Sequence, residues 1–165
     1  VEYIAKAIAP AVREEYPDAT FAIIGQGAES LEEPIRRGLV FTGFVDARAG
    51  ASPNLSDYLS ASDVVLVPLD SGSGTRLKIV EAASNARAVV STRIGAEGQA
   101  FRAGEEILLT QAVDDEFVAA TLRLLGDEGL RQRLGRAARQ KVLDEFSWRA
   151  QVKKMENVYE ELGVG

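Results

Sequence analysis

The sequence predicts an α/β fold: a Rossmann-like, doubly wound parallel sheet with helices on both faces. Three observations carry that expectation. Short apolar runs alternate with stretches of helical periodicity along the whole chain. The run Asp63 to Leu69 is nearly continuous in apolar residues, as a strand covered on both faces must be. Glycine-rich turns, Gly25-Gln26-Gly27 and Gly72-Ser73-Gly74, follow two of the runs. At 165 residues, 46% of them hydrophobic and 27% charged, the chain is sized for one domain with a real core.

Each element follows from local pattern. Ile4, Ile8, Val12 and Tyr16 recur every four residues, which predicts a first helix that Pro17-Asp18 ends. Thr20 to Ile24 reads as a buried strand. A short helix over 30–37 and a second strand over Val40 to Val45 follow. The small polar stretch at 46–54 (DARAGASPN) is expected as a surface loop, and Ser56 to Ala61 as a short helix. The third strand is Asp63 to Leu69, then a glycine loop, then a helix over 75–85. Ala88 to Ile94 and Glu106 to Thr110 give the fourth and fifth strands. Three helices close the chain. Asp114 is an expected N-cap with Asp115 and Glu116 in the first turn. Ser147 is a second N-cap, opening a helix whose stripe of Trp148, Val152, Met155, Tyr159 and Leu162 is expected in the core.

Composition excludes several chemistries. There is no cysteine and no histidine, so thiol nucleophiles, imidazole bases, disulfides and His/Cys metal sites are all absent. Any acid or base is Asp, Glu, Lys or Tyr. The net charge of −6 argues against a nucleic-acid partner. No apolar run is long enough to span a bilayer, and a reducing, cytoplasmic location is expected. Gly25 to Ser30 resembles a dinucleotide fingerprint, but Ser30 stands where the third glycine belongs, so no NAD site is expected. The basic stretch Arg131 to Lys141 is interleaved with Leu134, Ala137 and Ala138, as a solvated helix face is.

The chemistry concentrates between Asp63 and Ala83, where strand, glycine loop and helix follow one another. Ligands of open α/β sheets sit at the carboxyl ends of strands. Glycines let backbone approach a ligand, and the first helical amides favour an anion. Arg76 and Lys78 add cations at that same helix start, where they oppose the dipole by roughly 0.3–1 kcal/mol each unless an anion intervenes. Glu81, one turn beyond Lys78, is unsuited to phosphate and suited to ribose hydroxyls. Phosphate and ribose together mean a nucleotide. The same residues also permit a plain surface salt bridge between Lys78 and Glu81, with glycines serving only the turn.

The segment SGSGTRLKIVEA resembles the donor site of retaining glycosyltransferases of the GT-B fold, the group 1 or family 4 enzymes. These carry two glutamates separated by seven residues. Glu81 matches the second, Gly74 the glycine after the first, and Leu77 and Ile79 the apolar positions. Phe21 to Gly27, Phe41-Thr42-Gly43-Phe44-Val45, Ala88 to Gly98 and Phe146-Ser147-Trp148 fit the same family in order. The resemblance implies that residues 1–165 form a nucleotide-sugar (donor) binding domain. It also implies a donor that is a nucleotide diphosphate sugar, with no further cofactor and no metal.

Residue roles follow from the resemblance. Glu81 would hold the ribose; Gly74, Thr75 and neighbouring amides the phosphate and sugar; Arg76 and Lys78 would balance charge beside Leu77. Gly43, Phe44 and Val45 would border the base. Ser73 stands where the family has its first glutamate, close to the transferred sugar, and offers a hydroxyl without charge. The family's domain begins with a central strand and an Arg/Lys pair that this sequence lacks. A truncated domain with a gap in its sheet and a missing N-terminal acceptor domain are therefore expected, with the fragment inactive alone; the family's final helix packs back toward that other domain, so part of the Trp148 stripe is expected to be exposed here. The full-length enzyme could touch a membrane peripherally, and an open sheet edge could pair two copies as a homo-oligomer. The alternatives are a non-catalytic GT-B-like binding or structural module and a sugar-nucleotide epimerase-like domain.

Overall fold

The computed structural model describes residues 1–26, 31–46, 53–71 and 76–163. A π-helical segment, Ile4–Ile8, runs directly into α1 (Ala9–Glu15). Pro10 supplies the reason for the irregular ladder, because it has no N–H to donate and its ring crowds the preceding turn. Then come β1 (Ala22–Ile24), α2 (Glu33–Arg36), β2 (Val40–Gly43), α3 (Leu55–Ala61) and β3 (Val64–Val67). α4 (Leu77–Ser84), β4 (Ala88–Thr92) and β5 (Leu108–Thr110) follow, then α5 (Asp115–Gly126) and α6 (Glu128–Lys141). A π-helical segment, Val142–Phe146, carries α6 onward to α7 (Trp148–Glu161).

Every strand pair is parallel. β4 lies between β3 and β5, with Val65 opposite Val89 and Ser91 opposite Leu109. All five residues of β4 are buried. Successive side chains of a strand point to opposite faces, and each face of β4 has its own core. Ala88 and Val90 join Ile8 and Val12 of the first helix with Phe117 and Leu124 of α5. Val89 joins Leu59 of α3 with Ile79, Ala82 and Ala83 of α4. Helices therefore cover both faces, as the sequence predicts. α6 serves both cores, with Leu130 and Leu134 in the first and Ala138 in the second.

β1 and β2 form a second, separate parallel pair. Phe21, Ile23 and Leu39 on that side pack against the same core as Val64 and Leu66 of β3. Yet no ladder joins β1–β2 to β3–β4–β5. A doubly wound sheet of order 3-2-1-4-5-6 without its strand 1 leaves this split. The gap expected from the resemblance is thus present among the described strands. Arg13 bridges on the flank of the pair, donating from Nε to the Ala19 carbonyl at 3.2 Å and from Nη2 to the Gly38 carbonyl.

Both expected N-caps form. The Asp114 carboxylate accepts from the Glu116 amide at 3.0 Å, and the Ser147 hydroxyl from the Ala150 amide at 3.2 Å. Asn54 and Asp57 close a reciprocal cap at α3. Most of the loop at 46–54 lies outside the described residues. The last helix is not in the core, and its apolar stripe shows the exposure that the family resemblance implies. α7 has no buried residue, and Trp148 is 87% exposed with Met155 and Leu162 also open. Helical periodicity shows which side of a helix is apolar, not that a partner covers it. Among the described residues no helix is long and apolar enough to cross a membrane.

One close approach sets the position of α6. A Cβ on Gly135 would lie 2.1 Å from the Ala86 carbonyl oxygen, in the turn that feeds β4. Backbone on both sides leaves no soft side chain to yield. Gly135→Ala is therefore expected to destabilise the fold by about 3 kcal/mol, at the upper end of overpacking costs. The better helix propensity of alanine, worth about 1 kcal/mol, does not offset it. Urea unfolding of the two proteins measures the difference.

Candidate functional site

The candidate site is built where β3 and β4 end. β4 finishes in two fully buried hydroxyl residues, Ser91 and Thr92. A buried hydroxyl costs free energy unless it is hydrogen-bonded. Ser91 donates to the Thr92 carbonyl at 2.9 Å and reaches toward the Val67 carbonyl at 3.5 Å. Thr92 donates across to the Leu69 carbonyl, just past the end of β3. The same Thr92 oxygen accepts from the Gly95 amide at 2.9 Å. One side chain thus ties the loop after β4 to the exit of β3. Gly95 fits because it has no side chain: a Cβ there would sit 2.5 Å from Ser91 Oγ and 2.9 Å from the Val67 carbonyl oxygen.

Arg76 immediately precedes α4 and is 8% exposed. Its guanidinium lies 3.6 Å from the carboxylate of Glu97, whose side chain is 75% exposed. This pair bridges the α4 start and the loop after β4. Leu77 is 55% exposed, Lys78 is exposed and Glu81 is half-buried. Ile79, Ala82 and Ala83 turn the opposite side of α4 into the core. Lys78 and Glu81 form no ion pair with each other, so the plain salt-bridge reading of their spacing is not realised.

Ser73, Gly74 and Thr75, together with Gly72, lie outside the described residues. Gly43, Phe44 and Val45 stand at the carboxyl end of β2. Gly43 has φ +67°, which favours glycine, and its carbonyl accepts from the Gly25 amide at 3.1 Å. That bond joins the two strand ends into one turn and leaves Phe44 71% exposed beyond it.

Among the described residues no three His, Cys, Asp or Glu side chains group as metal ligands. Elsewhere among the described residues, a cleft of about 510 Å³ is lined by Arg102, Glu106, Lys141, Asp144 and Glu145, and both of its cations are already paired. Glu106 accepts from Arg102 at 3.0 Å, and Glu145 from Lys141 at 2.8 Å. The Glu106 hydrogen bond, followed by the charge of Glu105, raises the Arg102 pKa. These pairs are local: Arg102 closes on Glu106 within the loop before β5, and Lys141 on Glu145 along the end of α6.

The profile of the group 1 glycosyl transferases matches residues 1–127. The chain belongs to this family. Over 170 residues it is 24% identical to an uncharacterized glycosyltransferase of Methanocaldococcus jannaschii, covering 98% of this chain and 42% of the relative. Glycogen synthase of Mycobacterium tuberculosis is 27% identical over 158 residues, covering 91% and 37%. The chain spans less than half the length of the curated relatives it matches. Among solved structures, the C-terminal domain of a group 1 glycosyl transferase of Francisella tularensis superposes with TM-score 0.71 at 22% identity, covering 89% of this chain and 78% of that one. A mutant S. aureus TarM, in complex with fondaparinux, α-GlcNAc-glycerol and UDP, gives TM-score 0.74 at 19% identity over 95% of this chain and 32% of that one. The fold is that of the GT-B C-terminal domain.

The Thr92 and Gly95 contacts were not expected from the motif alone. Their signal in the sequence is a Ser-Thr pair ending an apolar strand, three residues before a glycine. Thr92→Val removes the partner of both the Leu69 carbonyl and the Gly95 amide. A loss of about 2 kcal/mol is expected, the cost of leaving buried polar groups unsatisfied. A lower urea midpoint with an unchanged denaturant slope checks it.

Proposed function

We propose that residues 1–165 are the donor-binding domain of a transferase that moves a sugar from a nucleotide diphosphate sugar to an acceptor, with retention at the anomeric carbon. One observation carries this reading. Lys78 and Glu81 lie one turn apart at the start of α4, at the carboxyl end of a parallel strand, and neither is spent on the other. A cation and a carboxylate so placed match the two ends of a ribose diphosphate. Lys78 and the α4 amides offset the charge that builds on the leaving diphosphate. Glu81 accepts hydrogen bonds from the ribose hydroxyls. Phe44, open at the end of β2, offers apolar surface to the base. Ser73, Gly74, Thr75, Leu77, Gly43 and Val45 complete the proposed contacts.

Buried Arg76 acts in this reading mainly by holding the loop after β4 and only secondarily by balancing ligand charge. The acceptor binds to a part of the full-length enzyme that this chain does not supply, so the 165 residues bind donor without transferring it.

Calorimetric titration with UDP, GDP, ADP and their glucose conjugates tests the reading, beginning with UDP because the TarM complex holds it. The matching nucleotide is expected to bind, and Glu81→Ala to weaken it about tenfold, the value of hydrogen bonds to a charged group. The same loss should appear when wild type meets the 2′,3′-dideoxy nucleotide, and the variant should not discriminate between the two. Equal binding of the ribonucleotide by wild type and Glu81→Ala overturns the ribose assignment.

A further inference from the structure

We infer that Glu97 is a sugar-contacting carboxylate of the donor site, a role that rests on the donor-binding reading above. Ser73 occupies the position that the family fills with a glutamate near the transferred sugar, and a hydroxyl supplies no negative charge. Positive charge develops on a sugar ring as its anomeric bond breaks, and sugar hydroxyls are donors that a carboxylate satisfies best. A carboxylate is therefore to be sought elsewhere around the same mouth.

Glu97 fits by placement. It follows β4 in the loop that Thr92 and Gly95 press onto the end of β3. Its carboxylate sits 3.6 Å from the Arg76 guanidinium, at the residue that opens α4. The contact is long for a charge-assisted hydrogen bond, which prefers about 2.7–2.9 Å. With its side chain 75% exposed, Glu97 keeps most of its acceptor capacity toward solvent.

Arg76 answers the electrostatic objection. A bare carboxylate beside a diphosphate would repel it, whereas one paired with a buried guanidinium enters the site as a near-neutral dipole. Its spare oxygen still accepts from hydroxyls. Two residues on, Gln99 Oε1 is buried without a hydrogen-bond partner. That oxygen is enclosed by protein, so Glu97 is the acceptor of this loop that faces solvent.

The experiment compares two affinities in the same protein: the nucleoside diphosphate and its sugar conjugate, using UDP with UDP-glucose and UDP-N-acetylglucosamine, and the GDP and ADP pairs likewise. Glu97→Gln, which keeps size and removes charge, is the variant, with its melting temperature recorded. The proposal expects diphosphate affinity to stay within about twofold while the sugar conjugate loses about tenfold, the value of hydrogen bonds to a charged group. If Glu97 served only as a structural tie to Arg76, both affinities would fall together or neither would change, and an unchanged ratio overturns the proposal. Failure of wild type to bind any nucleotide overturns the donor-binding reading itself, a result distinct from loss of the Glu97 role alone.

Discussion

The site depends on how a fully buried strand disposes of its last two hydroxyls. β4 has no solvent on either face. Ser91 and Thr92 must find partners inside the protein or the strand end is penalised by several kcal/mol. The available acceptors are carbonyls where β3 stops laddering. Thr92 takes the Leu69 carbonyl and hands its own oxygen to the Gly95 amide. That choice fixes the separation of two loops, and the Arg76–Glu97 contact follows from it. Polar residues at the end of an apolar strand are thus positioning groups here, and the glycine three residues later is their steric condition.

The sheet beside the candidate site is divided. β1–β2 and β3–β4–β5 share one core, in which Ile23 and Leu66 pack on common partners, while their facing edges carry no ladder. β3 shows the consequence: three of its four residues are only half-buried, where all five of β4 are buried. Helix packing, not strand pairing, holds the two sheets in register. In that shared core Ile8 of the first π-helical segment and Val12 of α1 pack with Phe117 and Leu124 of α5.

Much of this was legible in the sequence, for physical reasons that differ by element. Strands at 22–24, 40–43, 64–67, 88–92 and 108–110 fall inside the expected runs, the third trimmed at both ends and the others at one. Trimming is natural, because apolar character outlasts laddering where a neighbouring strand stops. Asp114 and Ser147 cap as read, since a cap is decided within four residues. What depends on distant partners was not legible. α7 has the periodicity of a core helix, yet Trp148 stands in solvent. Gly135 looks like a helix weakness until Ala86 is found against it. Glu97 sits in a string already matched to the family, but only its 3.6 Å approach to Arg76 ties it to α4.

Charge use separates structural from available groups. Arg102, Arg131 and Lys141 all have protein partners: Arg102 binds Glu106, Arg131 caps the Leu124 and Leu125 carbonyls, and Lys141 binds Glu145. Exposed ion pairs contribute little to stability, so these matter chiefly by fixing helix ends and loops. Lys78 and Glu81 differ because α4 presents them on the side opposite Ile79, Ala82 and Ala83, beside a buried arginine already committed to Glu97. A cation at a helix start is unfavourable in the empty protein and favourable once an anion arrives. In the proposed donor site a bound anion would relieve that conflict, with one nearby carboxylate facing Arg76 and the other a turn further along the helix.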